Sequence, residues 1–270
     1  MRNVSLDQLT VIGISPLEMI RIAAELGYDG ISPIGLSAPE FDLPIQPFAD
    51  DDELCAKMAA LLRSTGQRLF NIDGFPLFPA TDVRRFAKPI QNCARLGARS
   101  ITTLILDADA RRAEDNYSRI CEMARAAGVR VLLEFTPITQ ICDLHSAVDF
   151  LTRTNQANAA LQLDAYHFCY SGGLPDEIPR INPDWLISAQ LCDGPRRQTP
   201  EQYAYNVLYE RELPGRGEMP LVEFVRNLLP DVPIGVEVPL RSLTDRGVSP
   251  LECARLALDA SRQVMQAAKG

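Results

Sequence analysis

The chain has 270 residues, 46% of them hydrophobic, and a formal net charge of −8 with no lysine-rich or arginine-rich tract. That length suits one large domain or two small ones, and the acidic balance repels a phosphate backbone, which argues against nucleic acid as a partner. No apolar run reaches the length of a membrane span and MRNVSLDQLT lacks a signal-peptide core, so the expectation is a cytoplasmic protein with no membrane partner.

In chain order, strands are expected near residues 3–12, 29–34, 67–73, 99–106, 129–135, 159–164, 185–192 and 233–238. The signal behind them is a recurring unit: an apolar-periodic segment, a glycine, two or three residues, then a β-rich run. It reads AAELGYDGISPI, LLRSTGQRLFNI, CARLGARSITTL and ARAAGVRVLLEF, with Gly27, Gly66, Gly97 and Gly128 spaced 39, 31 and 31 residues apart. Met19, Ile22, Ala23 and Leu26, and again Tyr117, Ile120, Cys121 and Ala124, follow the helical i, i+3, i+4, i+7 rule, and a glycine just past such a stripe is a helix stop. A last helix is expected over SPLECARLALDASRQVMQ, opened by Ser249 and Pro250. Eight strands alternating with helices in this length predict a single (β/α)8 TIM barrel spanning residues 1–270 as one domain. A doubly wound open sheet is the rival, but no G-x-G-x-x-G follows the first strand.

Seven cysteines without a C-x-x-C pair fit a reducing compartment and core packing rather than a disulfide framework. The chemistry of such a barrel sits at the C-terminal ends of its strands. Four late strands end in groups able to ligate a cation: Glu134 on VRVLLEF, Asp164 on ALQLDAYH, Gln190 on LISAQLCD and Glu237 on IGVEVP. Asp164 shares a strand face with Gln162, Gln190 with Ser188, and Glu237 with Gly235, small or polar companions that fit a barrel interior under an open mouth. Three carboxylates and a carboxamide converging there would repel one another without a cation. Asp164 and His167 lie three apart, so a strand would point them to opposite faces. If the strand ends at Asp164, the chain has turned by His167, and both reach the mouth.

These pieces resemble the xylose-isomerase-like barrel superfamily, which includes sugar isomerases, ketose 3-epimerases and 3-dehydroshikimate dehydratase. LLEFTP, LDAYH, QLCDGPR, LPGRGEMPL and IGVEVP carry the resemblance, from about Val129 onward. It implies one divalent metal held by Glu134, Asp164, Gln190 and Glu237. It also implies substrate contacts from His167 and Arg196, and acid and base roles for Glu134 and Glu237. Two departures matter. Most isomerases and epimerases of the family carry histidine at the place of Gln190, where glutamine resembles the dehydratases. The second strand reads GISPIG where many relatives have a glutamate.

Four oxygen donors would favour Mn²⁺ or Mg²⁺ over Zn²⁺. The leading expectation is a metal-dependent isomerase or epimerase of a small polyhydroxy ketone, working through an enediolate. A dehydratase of the 3-dehydroshikimate type and a non-catalytic binding barrel are the alternatives. Apurinic-site endonucleases share this barrel but use several histidine-bound zinc ions, which two histidines, His145 and His167, cannot build. The resemblance implies a small hydroxy-ketone as partner and leaves a homo-oligomer open.

Overall fold

The computed structural model describes residues 2–270, in which parallel strands alternate with helices. The strands are β1 (Val4–Asp7), β2 (Gly30–Ser32), β3 (Arg68–Leu69), β4 (Asn71–Ile72), β5 (Ser100–Leu104), β6 (Arg130–Glu134), β7 (Ala159–Asp164), β8 (Leu186–Leu191) and β9 (Ile234–Val236). The helices are α1 (Pro16–Leu26), α2 (Asp52–Thr65), α3 (Ala87–Arg95), α4 (Ala110–Ala126), α5 (Leu144–Thr154), α6 (Ala165–Tyr170), α7 (Pro200–Tyr209), α8 (Leu221–Asn227), α9 (Arg241–Thr244) and α10 (Pro250–Ala267). None of them is long and apolar enough to cross a membrane.

The strand order is β3-β2-β1-β9-β8-β7-β6-β5-β4, parallel throughout. Its two ends, β3 and β4, are one stretch of chain interrupted at Phe70. The Phe70 N–H donates to the Ile31 carbonyl at 3.1 Å, and a parallel bridge joins Ile34 to Asp73. Nine segments therefore fill eight positions, and the sheet closes into the expected (β/α)8 barrel.

Local sequence explains most elements. Helices α1 and α2 stop at Gly27 (φ 74°) and Gly66 (φ 73°), a left-handed conformation that side chains with a Cβ disfavour. Ser15, Asp51, Asp109, Asp143, Thr199 and Ser249 each accept a backbone N–H at their helix start. One boundary differs from expectation. The first strand ends at Asp7, because residues Gln8–Val11 turn into a 3-10 helix. Thr10 drives the turn: its hydroxyl donates to the Val236 carbonyl at 2.7 Å and accepts from Val238 N–H at 2.8 Å, bending the chain over the end of β9.

The helix-facing sides of the strands pack into an aliphatic layer that includes Leu6, Ile31, Ile101, Val131, Leu133, Leu161, Leu163 and Val236. The inward sides are polar. The Ser5 hydroxyl donates to Asp7 and bonds Ser32; Asn71 donates to Asp73 and Thr102 and accepts from Ser100. Gly235 makes room for this layer, since a Cβ there would lie 2.1 Å from Asp7 Oδ2. At β1, β2, β4 and β5 these inward groups bond one another, whereas the inward Gln162 and Gln190 on β7 and β8 each keep an unpartnered Oε1.

Candidate active site

Glu134 is the last residue of β6 and Asp164 the last of β7, so both reach the C-terminal mouth. Helix α6 begins at the next residue, Ala165, with the Asp164 Oδ1 accepting the Tyr166 N–H at 2.6 Å as its cap. Residues three apart on a helical turn share a face. His167 Nε2 accordingly lies 3.6 Å from Asp164 Oδ2 and 3.8 Å from Glu134 Oε1. The three side chains offer donor atoms that all lie within 4.8 Å of one another.

Glu237 joins them through a residue the sequence analysis missed. Arg211 is 3% exposed, with Nη1 2.8 Å from Asp164 Oδ2 and 3.2 Å from Glu237 Oε2. Its other N–H groups donate to the Val207 carbonyl, and its plane lies 4.9 Å from the Tyr166 ring centroid. Arg211 sits in an extended link between two antiparallel bridges, Glu210 with Leu240 and Asp193 with Glu212. Alternation turns the two glutamates outward and the arginine in; E-R-E was the available signal. Asp193 holds this link in place by accepting N–H groups from Gly194 and Met219 on one oxygen and Gly215 on the other. The QLCD and PGRGEM motifs thus build one loop.

Tyr203 of α7 is the second missed residue. Its hydroxyl bonds His167 Nδ1 at 2.5 Å and Thr136 Oγ1 at 2.8 Å, which leaves His167 Nε2 facing the carboxylates. Asp7, buried inside the barrel, and Asp73, partly buried in the cavity wall, are the third and fourth.

Burial sets the titration of the site. It pushes the Glu134 carboxyl well above its ordinary value, reinforced by Glu237, Asp164 and Asp73, and lifts Glu237 to about 8 against the pull of Arg211. Asp164 goes the other way. Burial would raise it, but Arg211 beside it holds it below the usual carboxylate range. Burial also lowers His167 to about 4, so the ring is neutral near pH 7. One fixed carboxylate, two carboxyls poised to exchange protons and a neutral imidazole form an acid–base set.

The residues fit a divalent metal. Asp7, Asp73, Glu134, Asp164 and Glu237 surround the interior with Arg211 as their buried cationic partner, an excess of acid that a cation would neutralise. Gln190 is buried, donates its amide to Asp7 Oδ2 at 3.0 Å, and has an Oε1 without a partner. An orphaned buried oxygen beside a carboxylate cluster is a ready ligand. Gln190 pairs with Asp164 across β7 and β8. Because His167 joins the cluster, the donor set mixes oxygen with imidazole nitrogen, which is compatible with zinc as well as the harder ions.

Arg196 lies on the exposed loop after β8, where its backbone N–H donates to Glu218, and is not part of the cavity wall. Arg211 is the guanidinium that reaches the site. His145, at the start of α5, is exposed beside Glu177.

A family model described as the xylose isomerase-like TIM barrel matches residues 20–264. The chain belongs to that family. No curated protein matches it in sequence. Among solved structures it is similar to the IolI protein with a bound zinc atom, at 17% identity, covering 98% of both chains with a TM-score of 0.81. It is also similar to D-psicose 3-epimerase from Clostridium cellulolyticum H10, at 17% identity over 97% of this chain and 99% of that one, TM-score 0.72. A third is the probable 3-DHS dehydratase AsbF from Bacillus anthracis, at 17% identity over 94% and 97%, TM-score 0.72. At these identities the likeness is one of fold.

Proposed function

We propose that the protein is a metal-assisted isomerase or epimerase that moves a proton beside the ketone of a hydroxy-ketone substrate. The observation that carries this reading is geometric: two glutamates meet at the mouth, Glu134 reaching Asp164 through His167 and Glu237 through Arg211. Glu134, Asp164, Gln190 and Glu237, with His167 beside them, would hold the ion. When bound, it polarises the ketone as a Lewis acid and lowers the proton affinity of the carboxylates around it.

The chain's own groups then divide the work. One glutamate, ionised, takes the proton from the carbon next to the ketone. The other, still protonated, returns it to the opposite face for epimerisation or to the neighbouring carbon for isomerisation. His167, neutral and fixed by Tyr203, presents Nε2 to a substrate hydroxyl. Arg211 keeps Asp164 ionised so that the shuttled proton stays with the glutamates. The similarity to an epimerase supports this reading at the level of the family.

A second reading, loss of a β-hydroxyl after the same proton abstraction, is favoured by Gln190, which stands where most isomerases of the resemblance carry histidine. The test is incubation with hydroxyacetone in D₂O after loading with Mn²⁺, Mg²⁺ or Zn²⁺, read by mass spectrometry. Deuterium should enter the substrate with the parent protein and not with Glu134→Gln. Equal incorporation by both, or none with any ion, would overturn the proposal. Dehydration of a cyclic β-hydroxy ketone would appear instead as a new conjugated ultraviolet band.

A further inference from the structure

The cavity above the carboxylates has a volume of about 310 Å³, and its lining is divided. Asp73, Thr102, Glu134, His167, Arg211 and Glu237 form one polar end. Most of the remaining wall is hydrophobic: Leu36 and Phe41 after β2, Phe75 after β4, Leu104 and Leu106 at the end of β5, and Leu208 of α7.

Even the polar end has few free valences. Thr102 accepts from Asn71, Thr136 and the His167 Nδ1 are taken by Tyr203, and Arg211 is spent on Asp164, Glu237, Cys192 and the Val207 carbonyl. Glu134, Glu237, Asp73 and His167 Nε2 remain, enough for one short run of substrate oxygens. Among the described lining residues there is no lysine, and Arg211 is the one guanidinium. A phosphate or carboxylate on the substrate would therefore meet no free cation in the wall.

A free ketohexose matches this poorly, because each hydroxyl placed against the hydrophobic wall would lose its partner, weakening binding by on the order of tenfold to hundredfold. Each methylene set there instead tightens binding by about fourfold. Resting on the proton-transfer reading of the same site, we propose that the true substrate carries its hydroxy-ketone at one end of an uncharged, apolar body. The head lies against Glu134, His167 and Glu237, and the body against Phe75, Leu104 and Leu208.

The experiment is calorimetric binding of hydroxyacetone, 1-hydroxy-2-octanone and D-fructose to the full-length protein, both metal-free and Mn²⁺-loaded. The octanone should bind at least about thirtyfold tighter than hydroxyacetone, and D-fructose no tighter than hydroxyacetone. Leu104→Asn and, independently, Leu208→Asn should remove most of the tail's increment while leaving hydroxyacetone unchanged; two sites guard against a variant that does not fold. A flat series, tighter binding of D-fructose, or no binding of the octanone would overturn the proposal. Deuterium exchange on the same ketones separates the two ideas. Exchange without tail preference refutes the apolar body and keeps proton transfer, whereas tail-dependent binding without exchange does the reverse.

Discussion

The segments that follow β1–β5 and those that follow β6–β9 line one cavity unequally: the first are almost wholly apolar, and the second carry most of the ionisable groups. The early loops contribute Leu36, Phe41, Phe75 and Leu106, and one carboxyl, Asp73. The later segments contribute Glu134, His167, Arg211 and Glu237, tied to Asp164 behind them by contacts within 4 Å, together with the apolar Ile138, Val207 and Leu208. The difference teaches why the site titrates as it does. Burial withholds water from the carboxyls, so their uncharged forms gain, in Glu237 even with Arg211 3.2 Å away. Arg211 stands close to Asp164 and fixes it as a carboxylate, while Glu134, farther from that charge, rises.

The largest effect expected is on turnover, and it separates the two sides. Glu134→Gln should lower kcat by about 10²–10⁴ for every ketone tested, since it removes one of the two proton carriers. Its thermal unfolding should stay close to the parent's, because the amide is isosteric and carries no buried charge. A kcat near the parent's would place the chemistry elsewhere.

Arg211→Met should reach stability as well. It strands the Asp164 carboxylate without its counter-charge in a buried site, a loss of about 3–5 kcal/mol by denaturant unfolding of the metal-free protein. A loss under about 1 kcal/mol would show that Asp164 does not depend on the guanidinium.

Asp73 tests the coupling between sides. Burial, with Glu237 adding to it, raises its carboxyl from 3.8 to about 7. An acid held above its unfolded value binds extra protons when folded, so its stabilising share is present below pH 3.8 and is lost as pH rises through about 7. In the metal-free protein, Asp73→Asn should therefore flatten stability over that window and exceed the parent at pH 8 by about 1–3 kcal/mol. Parallel pH curves for variant and parent would contradict this.

The smallest effect belongs to the apolar side. Leu104→Asn should raise KM for 1-hydroxy-2-octanone by about tenfold and leave kcat within about threefold.

Much of the second half was legible in the sequence because its signals are local. A strand that ends at a carboxylate, a D-x-x-H that becomes a helix turn and a Ser-Pro helix start are read within a few residues. Glu134, Asp164, His167 and Glu237 meet for that reason. Arg211 was not legible, since its partner Asp164 lies 47 residues away, with α6, β8 and α7 between them. Asp7 meets Gln190 across 183 residues, through barrel closure alone. The apolar wall was missed differently: Phe41, Phe75 and Leu106 sit in loops, where a hydrophobic residue reads as ordinary packing until a cavity is seen beside it. The split of the third strand at Phe70 likewise depends on neighbours on both sides.

The central claim, that one side of the mouth does chemistry and the other holds an apolar body, is tested most directly by a crystal structure with 1-hydroxy-2-octanone bound. The ketone and hydroxyl should lie within hydrogen-bond reach of Glu134, His167 and Glu237, with the chain against Phe75, Leu104 and Leu208. A ligand found reversed, with its tail toward solvent and its oxygens among the leucines, would contradict it.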